Sequence, residues 1–236
     1  ADSLYRRQHS MEPAVVTAYA SLSALGRDRS AVLGMLERGE SGLTPGPASL
    51  PFPTMCGVVA TPLPELSPAL ARYDTRIARM TTALLADVDL ELARARARWG
   101  DARIGVLLGT STAGIASTEA AWRAYRADGA VPASYDFAAQ HAYDGILVVV
   151  RALTGAAGPG WVVSTACSSS AKVVASAMRL IAMGVVDAVI CGGVDTLCDI
   201  TLRGFHALGA LAPGRCRPFG AARDGINIGE GGALIW

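Results

Sequence analysis

The stretch Val162-Val163-Ser164-Thr165-Ala166-Cys167-Ser168-Ser169-Ser170 decides how the rest of the chain is read. Apolar β-branched residues run into a small-residue turn, and a helical pattern begins directly after the cysteine, so a strand hands a thiol to the start of a helix. The unpaired N–H groups and positive dipole end at a helix start favour thiolate over thiol and offer donors to an oxyanion. Acyl transfer through a thioester needs both. The small Thr165-Ala166 lead and the serines after Cys167 leave room for a substrate. On spacing alone, a structural core cysteine fits the same residues equally well.

The pattern extends in both directions from this junction. Downstream, the helix over Cys167 to Met183 stops at Gly184, Asp187 to Gly193 reads as a strand and Leu197 to Leu208 as a helix. Residues 213–227 read as loop, and Gly232 to Trp236 begins another strand. Upstream, a long helix over Asp136 to Leu153 is broken by Gly155 to Gly160 before the strand Trp161 to Thr165. Arg103 to Gly109 is a further strand, followed by the small-residue turn Thr110 to Gly114, and ligands of open α/β sheets favour turns at that end of a strand. Glu119 to Arg126 looks helical.

Further back, Leu70, Tyr73, Ile77, Met80 and Leu84 recur at helical spacing after the cap signal Ser67-Pro68, and Val88, Leu92, Ala95 and Trp99 continue it. That implies two consecutive helices or one bent helix. Residues 39–68, rich in proline, glycine and serine, read as a long surface connection. Ala14 to Tyr19 is the opening strand. Asp28 or Ser30 caps a helix whose apolar face is Val32, Leu33 and Leu36. Five strands with helices between them predict one three-layer α/β domain around a mixed, mostly parallel sheet.

Composition limits the functional classes. The chain has 236 residues, 51% of them hydrophobic and 17% charged, enough to bury a substantial core. Its 21 Lys and Arg against 20 Asp and Glu leave a net charge of +1, so nothing argues for nucleic acid or a membrane surface. No apolar run is long enough to span a bilayer. Residues 1–10 are polar, lack the apolar centre of a secretory signal and read as a flexible lead-in. The five cysteines form no CxxC pair, which suits reduced thiols and a cytoplasmic location.

Other chemistries find little support. Cys198, Cys216 and His206 lack zinc spacing, so no metal is expected. Gly109 to Gly114 has the outer spacing of a phosphate loop, but Ile115-Ala116 stands where Lys-Ser/Thr would grip the phosphates. Gly229 to Gly232 is not a dinucleotide fingerprint, and no cofactor is expected. A Cys–His hydrolase using His9, His141 or His206 has nothing in the sequence to favour it.

The motifs taken together resemble the β-ketoacyl-acyl carrier protein synthases, including polyketide ketosynthases, of the thiolase-like fold. STACSSS at 164–170 carries the resemblance most strongly, after Gly158-Pro159. RIGVLLGTSTAGI at 103–115, AVICGGVD at 188–195, GFHALGAL at 204–211, and RPF with ARDGINIGEGG at 217–232 follow the family's order and spacing. The similarity runs from about Met11 to the last residue and corresponds to the amino-terminal half of such a synthase. Gly220 and Ile226 stand where the family usually has Asp and Phe.

The resemblance implies that Cys167 takes an acyl group from a carrier-protein thioester. Malonyl-carrier protein is then decarboxylated, and the enolate attacks the acyl-enzyme. It implies that the Cys167 N–H is one oxyanion donor, that Phe205 stands beside the thiol at the acyl pocket, and that Thr112 occupies the position where side-chain bulk limits acyl length. The family's histidines and lysine belong to the other half of the synthase, so this stretch alone would present the thiol without performing the condensation. The implied partners are an acyl carrier protein, acyl and malonyl thioesters, and a second synthase subunit, identical or related. That subunit would pair through the strand Trp161 to Thr165. Two other readings are a non-elongating partner subunit of a heterodimeric ketosynthase, in which the thiol is commonly missing, and a thiolase-like acyltransferase that does not decarboxylate.

Overall fold

A computed structural model describes residues 14–236, and the expected lead-in at 1–10 lies outside them. Strand β1 (Tyr19–Leu22) is followed by α1 (Arg29–Glu37), β2 (Leu43–Pro45), β3 (Met55–Gly57), a 3-10 turn over Pro68–Tyr73, α2 (Arg76–Leu85) and α3 (Asp89–Trp99). β4 (Ile104–Gly109) leads into α4 (Ile115–Asp128), α5 (Phe137–Gln140) and α6 (Asp144–Thr154), and β5 (Gly160–Val163) into α7 (Ser169–Ala182). β6 (Ala188–Asp195), α8 (Asp199–Ala207), β7 (Ile228–Gly229) and β8 (Gly231–Ile235) follow.

The main sheet has the order β1-β8-β6-β4-β5. β4 runs parallel to both β5 and β6, and β8 is antiparallel to β6 and β1, so β8 alone opposes the other four strands. The sheet is therefore mixed but mostly parallel, as the sequence predicts. β4 is buried along its whole length, which explains its unbroken apolar reading. Its side chains alternate between faces. Ile104, Val106 and Leu108 join Ile190, Leu234 and the inward faces of α2, α3 and α6 in one core. Leu107 meets Val189, Cys191 and the α7 residues Val173, Ala177 and Leu180 in the other. Helices thus cover both faces of the sheet.

Five expectations change. The opening strand lies at Tyr19–Leu22 and not at 14–19, because Ala20 and Leu22 are the residues that reach the core while Val15 is 77% exposed. The cap of α1 is as expected, Asp28 being the one of the two residues offered that takes the role, its Oδ1 accepting the Ala31 N–H at 2.8 Å. The expected apolar face of α1 is uncovered, with Leu33 and Leu36 exposed. The proline-rich 39–68 connection contains β2 and β3, which with β7 form a second, three-stranded sheet that buries Cys56. Ser67-Pro68 opens the 3-10 turn, and Thr75 caps α2 instead.

The long 136–153 helix is the fifth change, since it is interrupted at residues 141–143 to give α5 and α6. At the break, His141 Nδ1 is hydrogen-bonded to Thr118 Oγ1 at 2.6 Å. Gly114 lies so close to the Gln140 backbone that no side chain fits there.

Candidate active site

β4 and β5 end at one level, for Gly109 is the register partner of Val163, while β6 runs on past Gly193, the partner of Gly109 on the other side, to Asp195. Three connections therefore emerge side by side: 164–168, 110–114 and 196–198. Cys167 sits on the first and Thr112 on the second. Phe205 is carried by α8, which begins just beyond the third.

The Cys167 connection is a tight elbow. Ala166 adopts the left-handed conformation, with φ of 52°, which is costly for a residue with a Cβ and persists only where neighbours enforce it. The neighbours here are hydroxyls. The buried Ser169 Oγ accepts the Thr165 N–H at 2.9 Å and donates to Ala166 O at 2.6 Å. Ser168 Oγ donates to Thr165 O at 2.8 Å. The serines thus hold the turn itself, and the Ser168 side chain does not cap the helix.

Glycines bring α7 down onto the sheet. A Cβ on Gly109 would lie 2.8 Å from Ser169 C and Ser170 N, and one on Gly193 would collide with Ser170 Oγ. Both glycines face the α7 side of the sheet by the alternation of β4 and β6. Bare backbone at these two positions lets the first turn of α7 rest on the strand ends, with Cys167 at its lip.

Cys167 is exposed, while Cys56, Cys191 and Cys198 are buried and Cys216 is half-buried. Burial pushes the Cys191 thiol up to about 11 and raises those of Cys56 and Cys198. The three buried thiols are thus core groups, and Cys167 is the accessible one beside a helix start.

Thr112 is 6% exposed and is tied down by an acidic residue that the sequence reading did not single out. Asp195 Oδ1 accepts from Thr110 Oγ1 at 2.8 Å, Ser111 N at 2.7 Å, and Thr112 N and Oγ1 both at 2.9 Å. Thr112 Oγ1 in turn accepts the Thr196 N–H at 3.1 Å. The available signal was an acidic residue ending an apolar strand, but only the strand order sets it against the Thr-Ser-Thr turn.

Phe205 is half-buried on the last turn of α8. That helix is anchored by Glu119 of α4, which accepts the Asp199 and Ile200 N–H groups at 2.8 and 2.7 Å. The two histidines among the described residues are engaged elsewhere. His206 stacks on Phe52 with ring centroids 3.6 Å apart, His141 bonds to Thr118, and His9 lies outside the described residues.

A second missed carboxylate, Glu230, has a side chain only 2% exposed and pairs with Arg76. It accepts the Val59 N–H at 2.9 Å and the Leu197 N–H at 3.5 Å, joining α2, the β3 exit and the segment after Asp195. Hydrogen bonding to Glu230 raises the Arg76 guanidinium further above its ordinary range. Among the described residues, no cluster of three or more His, Cys, Asp or Glu is placed to hold a metal ion, and no helix is long and apolar enough to cross a membrane.

Residues 11–236 match the family model described as β-ketoacyl synthase, N-terminal domain. Nodulation protein E of Rhizobium meliloti (strain 1021) is 28% identical over 93% of this chain and 56% of its own length. The 3-oxoacyl-[acyl-carrier-protein] synthase 2 of the same organism is 41% identical over 33% of this chain and 20% of its own. Among solved structures, a chain of the ketosynthase (ApeO) complex with its chain length factor (ApeC) from Xenorhabdus doucetiae superposes with a TM-score of 0.86. It is 31% identical, covering 93% of this chain and 56% of that one. The chain thus spans about half the length of the nodulation protein E it matches. With a mixed five-stranded sheet between helices, and a family match that includes both the Cys167 elbow and the Asp195-bound turn, this chain belongs to the β-ketoacyl synthase family and corresponds to that family's amino-terminal domain.

Proposed function

We propose that Cys167 accepts an acyl group from an acyl carrier protein and that the protein extends it by decarboxylative Claisen condensation, in fatty acid, polyketide or polyene synthesis. The observation that carries this reading is the exposed thiol on a rigid elbow at the start of α7. Cys167 Sγ attacks the acyl thioester carbonyl and the carrier thiol leaves. Malonyl-carrier protein loses CO2, its enolate carbon attacks the acyl-Cys167 carbonyl, and the Cys167 thiolate departs as the carbon–carbon bond closes. The Cys167 N–H is one donor to the oxyanion of each addition. Phe205 borders the acyl group, and Thr112 limits its length.

The family resemblance assigns the histidines that assist condensation to the other half of the synthase, so this reading gives the condensation to the whole synthase. β5 is an edge strand of the sheet, with Trp161 37% exposed. Pairing with the same strand of an identical or related subunit would cover that edge. All five cysteines are free thiols, which suits a cytoplasmic protein.

The test uses the full-length gene product. Incubation with acyl-carrier protein is expected to add one acyl mass to the Cys167 peptide, and adding malonyl-carrier protein is expected to release a β-ketoacyl-carrier product. Cys167→Ser abolishes both. Acylation without malonyl consumption would instead support a non-decarboxylating acyltransferase. No acylation in a folded protein that co-purifies with an active synthase would support the non-elongating subunit.

A further inference from the structure

We infer that Asp195 is a positioning residue for the acyl site, acting through Thr112 without touching substrate. The inference rests on the acyl-transfer reading of Cys167, but its structural half stands on geometry alone.

Asp195 ends β6, the neighbour of β4, while the Cys167 elbow leaves β5 on the other side of β4. The 110–112 turn lies between them, and Thr110 N donates to Val163 O at 3.1 Å on the β5 side. A single carboxylate oxygen collects all four donors that this turn directs toward β6. Two are backbone N–H groups that a turn leaves without helix or sheet partners, and satisfying them fixes the path of the chain. The other two are hydroxyls, which fixes the Thr110 and Thr112 rotamers. Thr110 Oγ1 then accepts the Ala113 N–H at 2.9 Å, holding Ala113 in the left-handed region at φ 42°.

With its hydroxyl donating to Asp195 Oδ1 and accepting from Thr196 N, Thr112 has no hydroxyl proton left to donate to a substrate. It contributes volume in one orientation. A β-branched side chain locked in this way is a stiff boundary, and a stiff boundary discriminates chain lengths better than one that can rotate away. Specificity for acyl length is therefore set by the Asp195–Thr112 pair and not by the threonine alone.

The test compares wild-type full-length protein with Asp195→Asn and Thr112→Val, using acyl thioesters of increasing chain length and amide hydrogen exchange. Asp195→Asn is expected to speed exchange at Ser111 and Thr112 by about tenfold or more, the scale of losing charge-assisted bonds. It is also expected to change the ratio of long-chain to short-chain acylation rates at Cys167 by roughly threefold or more, toward looser discrimination. Thr112→Val keeps the volume and loses the hydroxyl, so it shifts the ratio in the same direction, and it carries the test if Asp195→Asn fails to fold. Unchanged exchange at both amides, or an equal slowing at every chain length, would overturn the inference. If wild-type Cys167 takes acyl groups from no thioester, the acyl-transfer reading fails, and the exchange data alone then decide whether Asp195 positions the turn.

Discussion

Gly109 and Gly193 are register partners on β4 and β6, and both turn a bare Cα toward Ser170 at the start of α7. The thiol elbow therefore depends on two residues that carry no chemistry. A helix start can approach strand ends this closely only where side chains are missing on both strands, and the even spacing of β4 and β6 places these glycines on the same face.

Gly109→Ala puts its Cβ against α7 backbone, which cannot step aside locally. The expected loss is about 1–3 kcal/mol in denaturant unfolding, the usual cost of overpacking. Gly193→Ala mainly meets the Ser170 hydroxyl, so it is expected to cost less and to be partly relieved by Ser170→Ala. Equal losses for the two glycine variants, with no relief, would contradict this packing.

Thiol reactivity should follow exposure. Limited iodoacetamide treatment with mass mapping is expected to label Cys167 first and Cys216 next, with Cys56, Cys191 and Cys198 protected until unfolding. Burial holds Cys191 at about 11, so raising the pH to about 9 leaves it largely protonated as well as inaccessible.

Glu230 joins three segments from an almost fully buried position. Glu230→Ala strands the Val59 N–H and removes the partner of Arg76, whose own side chain is 43% exposed, and is expected to cost about 1–3 kcal/mol, the range for leaving a buried donor unsatisfied. A loss below about 1 kcal/mol would mean that water replaces the carboxylate freely.

The acid limb of stability carries a definite sign. The Arg103 guanidinium, hydrogen-bonded at 2.6 Å, holds the Asp187 carboxyl below its ordinary 3.8. Its contribution is present above 3.8 and is lost as the pH falls through the lowered value. Asp187→Asn is therefore expected to flatten the unfolding midpoint against pH below about 4 and to leave its slope near neutrality unaltered. An unchanged acid limb would show that the pair adds nothing.

Local pattern accounts for much of this architecture. β4 and β6 were legible because strands buried on both faces read as unbroken apolar runs, and the stop of α7 because Gly184 is left-handed. The uncovered face of α1 was not, since the spacing of Val32, Leu33 and Leu36 marks an apolar stripe without saying what packs on it. β2 and β3 are short pairings inside a proline-rich segment, where turn residues outweigh any alternation. Cys167 was legible from its strand-to-helix context. Asp195 was not, because it meets Thr112 only through the adjacency of β4 and β6, and 83 residues separate the two.

The central claim is that the Cys167 thiol carries the acyl group. Peptide mapping of the full-length gene product after brief exposure to acyl-carrier protein tests it most directly. The expected result is one acyl adduct, confined to the peptide containing Cys167 and absent in Cys167→Ser. An adduct on Cys56, Cys198 or Cys216 instead, with Cys167 unmodified in the folded protein, would contradict the account.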